Sequence, residues 1–234
     1  MSSVAVAGAL NERNASRFVV AGALAPALPE IRGARLVALP GSVEVHADRS
    51  RMPAAASADP SGRSLHLSAG AALFNLRLSA AQVGYSPVVR LLPAAGHPSL
   101  LASVRLTGPR RSRPVERLLY AASLQPLPTR QPYGDQHPPL PVLQELAEAA
   151  RLEGTTLHWL PRSGGPQTAV LTTPANTPTS WLRAGQALQS LLLNATIRSV
   201  SLSFVQTPTA LPLPPTLTPG ETPQLALELA RTAR

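Results

Sequence analysis

The 234-residue chain has no cysteine, which excludes disulfides, thiolate catalysis and Cys-ligated zinc. Any redox chemistry would therefore need a bound cofactor. Lysine is absent too: all 21 basic residues are arginine, spread from Arg13 to Arg234 against 12 acidic residues, for a net charge of +9. Such scattered arginine reads as base-composition bias rather than a shaped surface. The densest group, Arg105, Arg110, Arg111, Arg113 and Arg117, lies in a proline-containing stretch without interleaved aromatics, the pattern of a solvated loop rather than a nucleic-acid patch. Aromatic residues are few, three Phe, two Trp and three Tyr, so Leu, Val and Ala must pack the core at close range. No window offers the roughly 18 to 20 uninterrupted apolar residues that cross a bilayer. The start, MSSVAVAGALNERNASRF, has no basic residue before its short apolar run and is broken by Asn11, Glu12 and Arg13. That argues against a signal peptide and for a cytoplasmic protein.

What is present reads as α+β with buried helices. Residues 16 to 25 form a short helical pattern stopped by Pro26. In SVEVHA, at 42 to 47, Val43 and Val45 alternate with polar neighbours, as in a half-buried strand. From Ser64 to Val83, Leu65, Ala69, Ala72, Leu73, Leu76, Ala80 and Val83 recur at helical spacing, and Ala71, Phe74 and Leu78 carry the apolar surface nearly all round. Strands are expected at 87 to 93 and 100 to 107 around the turn AAGHPS. Further on come a helix at Leu140 to Leu152 stopped by Gly154, strands at 155 to 160 and 167 to 173, and a second apolar helix at 180 to 198 capped by Ser180. The segment from Thr207 to Pro223 contains six prolines and should be extended, leading into a last strand at 224 to 229. The helices and short strands lack the regular βαβ rhythm of a parallel sheet.

Generic catalytic signatures are weak. His46, His66, His97, His137 and His158 show no HxxxH or HxH pairing, so no metal ligands are assigned. Ser201, Ser203, Asp135 and His137 lack any nucleophile elbow, and SGG at 163 to 165 is a flexible turn rather than a phosphate loop. Asp48 with Arg49 and Arg51 reads as a strand-end ion cluster.

A resemblance is more specific. HADRSR at 46 to 51 and DPSGRSLHLSAGAALFNLRLSAAQVGY at 59 to 85 resemble the Acg-type branch of the nitroreductase-like flavoproteins. RQPYGD at 130 to 135, LQELAEAARLEGTTLHWL at 143 to 160, SWLRAGQALQSLLLNAT at 180 to 196 and PQLAL at 223 to 227 follow in the family's order. The resemblance implies two fused and shortened nitroreductase-like halves, 1–108 and 109–234, the second carrying the Pro-rich segment 207–223. It also implies FMN held between elements of both halves, with NAD(P)H as electron donor. Flavin chemistry asks the protein for a phosphate cradle, ring-edge donors and orientation.

The family's flavin-facing positions are altered here. Glu30 stands in place of an amide-bearing Asn. Arg130, Pro132 and Tyr133 match a second motif, but Gln125 and Pro126 replace its paired arginines. Ser199-Val200 replaces a Gly-Leu pair, and Glu228 and Ala230 replace an Arg and a Gly. A long segment is shortened to PRSGG at 161 to 165. Arg130, Ser199 and Val200 are thus the cofactor-binding candidates. The expectation is an FMN-dependent oxidoreductase relative with weakened or lost flavin binding. The alternative is a non-catalytic flavin-sequestering or paralogue-binding scaffold, as a homodimer or paired with an intact paralogue.

Overall fold

The computed structural model describes residues 34–48, 62–125, 137–161, 165–205 and 216–231. The chain separates into two compact units, Met1–Pro126 and Leu127–Arg234. Among the described residues it has four helices and two four-stranded antiparallel sheets, so the class is α+β. The helical pattern read at 16 to 25 lies outside the described residues.

In the first unit the order is β1 (Ala34–Leu39), β2 (Ser42–Ala47), α1 (Arg63–Gln82), β3 (Tyr85–Leu91), β4 (Leu100–Pro109) and α2 (Pro114–Ser123). The sheet runs β1-β2-β4-β3. Pro40-Gly41 closes the β1–β2 hairpin, with Leu39 opposite Ser42 and Gly41 at φ +73, a conformation only glycine adopts cheaply. Period-2 alternation sends Val43, Val45, Ala102, Val104 and Leu106 to one face of the sheet, and all five are fully buried. Helix α1 packs against all four strands, and α2 packs against α1. Because Leu65, Leu67, Leu73 and Leu76 are also fully buried, each contributes about 1.5–3 kcal/mol of apolar burial.

In the second unit the order is α3 (Leu140–Leu152), β5 (Thr156–Trp159), β6 (Gln167–Thr173), α4 (Pro178–Ile197), β7 (Val200–Val205) and β8 (Thr222–Arg231). The sheet runs β5-β6-β8-β7. Leu171, Leu225, Leu227 and Leu229 form its dry centre. Helix α4 packs on β6, β7 and β8, while α3 packs on α4 and β5. The two long helices are buried along most of their length, as their sequences require.

Three readings of the sequence need correction. Ser180 is not the cap of α4. Proline favours the first helical position, so Pro178 starts the helix and Thr177 becomes the cap, its hydroxyl accepting from the Ser180 N–H at 3.2 Å. The Arg-rich stretch is not all loop, because Pro114 opens α2. The Arg113 N–H donates to the Glu116 carboxylate at 2.8 Å, which fixes the first turn. Strands β1 and β7 were not expected at all. The expected strand at 224 to 229 extends in both directions, taking in Thr222 and Pro223 at its start.

Candidate functional site

Two of the three candidate cofactor residues, Ser199 and Val200, fall at one corner, where α4 turns into β7. Helix α4 ends at Ile197, and the Ser199 N–H closes the last turn on the Thr196 carbonyl at 3.1 Å. To redirect the chain into β7, Ser199 takes φ +54, the left-handed region that disfavours side chains. Val200 then begins β7 with only 4% of its surface exposed. One candidate is therefore used as a backbone pivot and the next as core. Arg130, the third candidate, lies outside the described residues, as do Glu30, Pro132 and Tyr133.

Glu228 sits on β8 between Thr168 on β6 and Ser203 on β7, and its side chain is exposed. Ala230, the other altered position on that strand, is buried. A carboxylate on a strand repels a phosphate dianion, and a buried alanine offers no donor. Gln125, standing where the family has an arginine, is exposed just beyond α2. Of these described positions, Gln125 and Ser199 carry exposed polar side chains and the exposed Arg231 stands opposite Val200, while Glu228 puts a carboxylate further along the same strand.

The remaining polar clusters are structural in form. The Glu116 carboxylate, largely buried at the start of α2, accepts hydrogen bonds from the Arg110 guanidinium, from the Arg113 N–H at 2.8 Å and from the Arg113 guanidinium at 3.1 Å. Burial by itself raises its pKa, but these donors outweigh burial and hold it at about 2. His158 on β5 is buried between the Thr216 hydroxyl at 2.8 Å and the Glu221 carboxylate at 3.0 Å, fastening the end of the Pro-rich segment to the edge strand. Burial again pushes Glu221 upward. The Thr218 N–H, the Thr156 hydroxyl and the His158 ring together bring it below the ordinary carboxylate value.

Of the other described sequence candidates, His46, His66 and Ser201 are each engaged within their own element or sheet. His46 contacts Glu44, two residues away on β2, at 2.7 Å. The His66 ring contacts the Gly62 carbonyl at 2.7 Å on the first turn of α1. Ser201 donates to the Ala230 carbonyl at 3.0 Å and is spent on its sheet. Asp135, Arg49 and Arg51 lie outside the described residues. Among the described residues no three His, Asp or Glu side chains gather as a metal cage, and no helix is long and apolar enough to cross a membrane.

Sequence reasoning missed the structural duty of Ser199. The signal that could have revealed it is a repeated string: Ala69-Gly70, Ala72-Leu73, Leu76, Leu78 and Ala80 recur as Ala184-Gly185, Ala187-Leu188, Leu191, Leu193 and Ala195. Continuing at the same spacing puts Gly84, at φ +89, opposite Ser199. No protein-family model and no curated protein matches the chain.

Proposed function

We propose that the protein acts by binding rather than by redox turnover. In this reading it is a two-unit α+β scaffold of nitroreductase-like, Acg-type descent whose two fused halves no longer assemble an FMN site. The single observation that carries this reading is the fate of Ser199 and Val200. The first turns the backbone through the left-handed region and the second is buried in the core, so the pair serves the fold at the corner where the family's flavin contact would lie. The exposed Glu228 supports it, since at an effective dielectric near 20 a carboxylate about 5 Å from a phosphate costs roughly 3 kcal/mol before salt screening. In this reading the partner is a protein, a second copy or an intact paralogue, and the setting is the cytoplasm. NAD(P)H and FMN are not its working ligands.

Steady-state assay tests the reading. With FMN and either NADH or NADPH supplied in excess, together with a quinone or nitroaromatic acceptor, the protein should oxidise the nicotinamide no faster than FMN alone. Saturable, protein-dependent oxidation would instead establish the FMN-dependent NAD(P)H oxidoreductase that the sequence resemblance implies.

A further inference from the structure

We propose that the chain is a tandem duplication of one ββαββ module, the two units being copies of each other. It concerns how the two halves named above are related to each other and holds whether or not flavin binds.

Four independent features coincide. Both sheets follow the same path, with the first strand at an edge, the second beside it, then the fourth, then the third at the far edge, and every pair is antiparallel. The helix in the middle of each path is 20 residues long, and Arg63 and Gln82 stand 115 residues before Pro178 and Ile197. The same spacing sets Gly84 against Ser199, and both take positive φ between the helix and the third strand. Finally, each central strand pair carries a bulge at the corresponding place. Val45 pairs with Ala102 and His46 with Leu100, skipping Leu101. Likewise Leu171 pairs with Leu225 and Thr172 with Pro223, skipping Gln224.

A bulge is a positional feature that re-aims a strand, so two unrelated sheets have no reason to share its place. The register gives residue equivalences across the sheets: Val43 with Ala169, Val45 with Leu171, Ala102 with Leu225, Val104 with Leu227 and Leu106 with Leu229. All ten are fully buried. In the helices Leu67 to Ala80 and Leu182 to Ala195 are identical at eight of fourteen positions. On the opposite sheet face the copies diverge. Arg105 is equivalent to Glu228 and Arg35 to Thr156, so the core is shared while the solvent-facing charge is not.

The helices also carry a reciprocal pair. Asn75 and Ser79 stand four residues apart on α1, and Ser190 and Asn194 stand at the same two positions on α4 in the opposite order. In α4 the Asn194 amide donates to the Ser190 carbonyl at 2.8 Å. The exchange preserves one large and one small polar residue on that face.

Two measurements on the full-length chain test the duplication. In the first, single alanine substitutions along 65–82 and 180–197 are ranked by melting temperature. The two profiles should superpose at a spacing of 115 and not at 114 or 116, with buried leucines such as Leu76→Ala and Leu191→Ala each lowering Tm by about 5–12 °C. In the second, NMR of the labelled chain should show an intense intraresidue HN–Hα contact at both Gly84 and Ser199. It should also show cross-strand contacts that skip Leu101 and Gln224. A best superposition at another spacing, a negative φ at Ser199, or a continuous β6–β8 ladder through Gln224 would each overturn the duplication.

Discussion

Ser199 concentrates the tension between the two accounts of this chain. Its position suggests a cofactor contact by resemblance and a pivot by geometry, and a substitution separates them. Glycine there removes the left-handed penalty of a side chain, about 1–2 kcal/mol, partly offset by glycine's greater freedom when unfolded. Ser199→Gly should therefore raise Tm by about 1–3 °C in a melting curve, while Gly84→Ala at the equivalent corner should lower it by a similar amount or more. The Cβ added at Gly84 meets only the Arg110 carbonyl oxygen, 3.8 Å away, so the penalty there comes from φ +89 and not from crowding.

Glu116 gives a second residue-scale test. Its folded pKa, about 2, lies below the ordinary value of 4.5. The contribution is therefore complete above about pH 4.5 and is lost as pH falls toward 2. Because Arg113 is well exposed and Arg110 partly so, screening reduces the effect to on the order of 1–2 kcal/mol. Glu116→Gln should be less stable than the parent at pH 7, and the gap should close in urea melts as pH drops from 5 to 2. A gap that stays constant with pH would show that the ion cluster does not stabilise α2.

At the scale of elements, the sequence was legible wherever burial follows a period. The strands at 42–47 and 167–173 and the helix at 140–152 coincide with the structure to the residue, and α1 and the strand β3 lie within two residues of the expected bounds. These segments show regular alternation, all-round apolarity or a glycine stop. Strand β1, ARLVAL, hid because its residues are neither alternating nor bounded by polar turns until Pro40-Gly41. Helix α2 hid because charge and proline suggested a loop, whereas its first turn is held by Glu116 among arginines. Strand β7 does alternate, but the resemblance assigns its start, Ser199-Val200, to the cofactor.

The latch between β5 and the end of the Pro-rich segment was also invisible, since His158 and Glu221 are far apart in sequence and meet only when β5, β6 and β8 pair. His158→Ala leaves the half-buried Glu221 without its ring partner and empties a buried site. The expected loss is about 2–4 kcal/mol, read by denaturant melting. Hydrogen exchange should rise at Thr218 and Glu221 more than on α1.

For the molecule as a whole, the units' equal wiring is the property that no local pattern announced. It required comparing residues 115 apart, and the signal is diluted by the chain's high content of Leu and Ala. Function was less legible still. The resemblance supplied a cofactor and candidate positions, but a motif match cannot say whether a serine points into a site or turns a backbone. The described corner turns a backbone, and its neighbours on β8 are the exposed Arg231 and the buried Ala230, with the Glu228 carboxylate further along the strand.

The most direct test of the binding-scaffold account is titration of the full-length protein into FMN, followed by flavin fluorescence at low and physiological salt. The account predicts no saturable change up to protein concentrations on the order of 100 μM, corresponding to a binding free energy weaker than about −5.5 kcal/mol. Stoichiometric quenching with a dissociation constant in the micromolar range or below, followed by bleaching of the bound flavin on addition of NADH or NADPH, would contradict it.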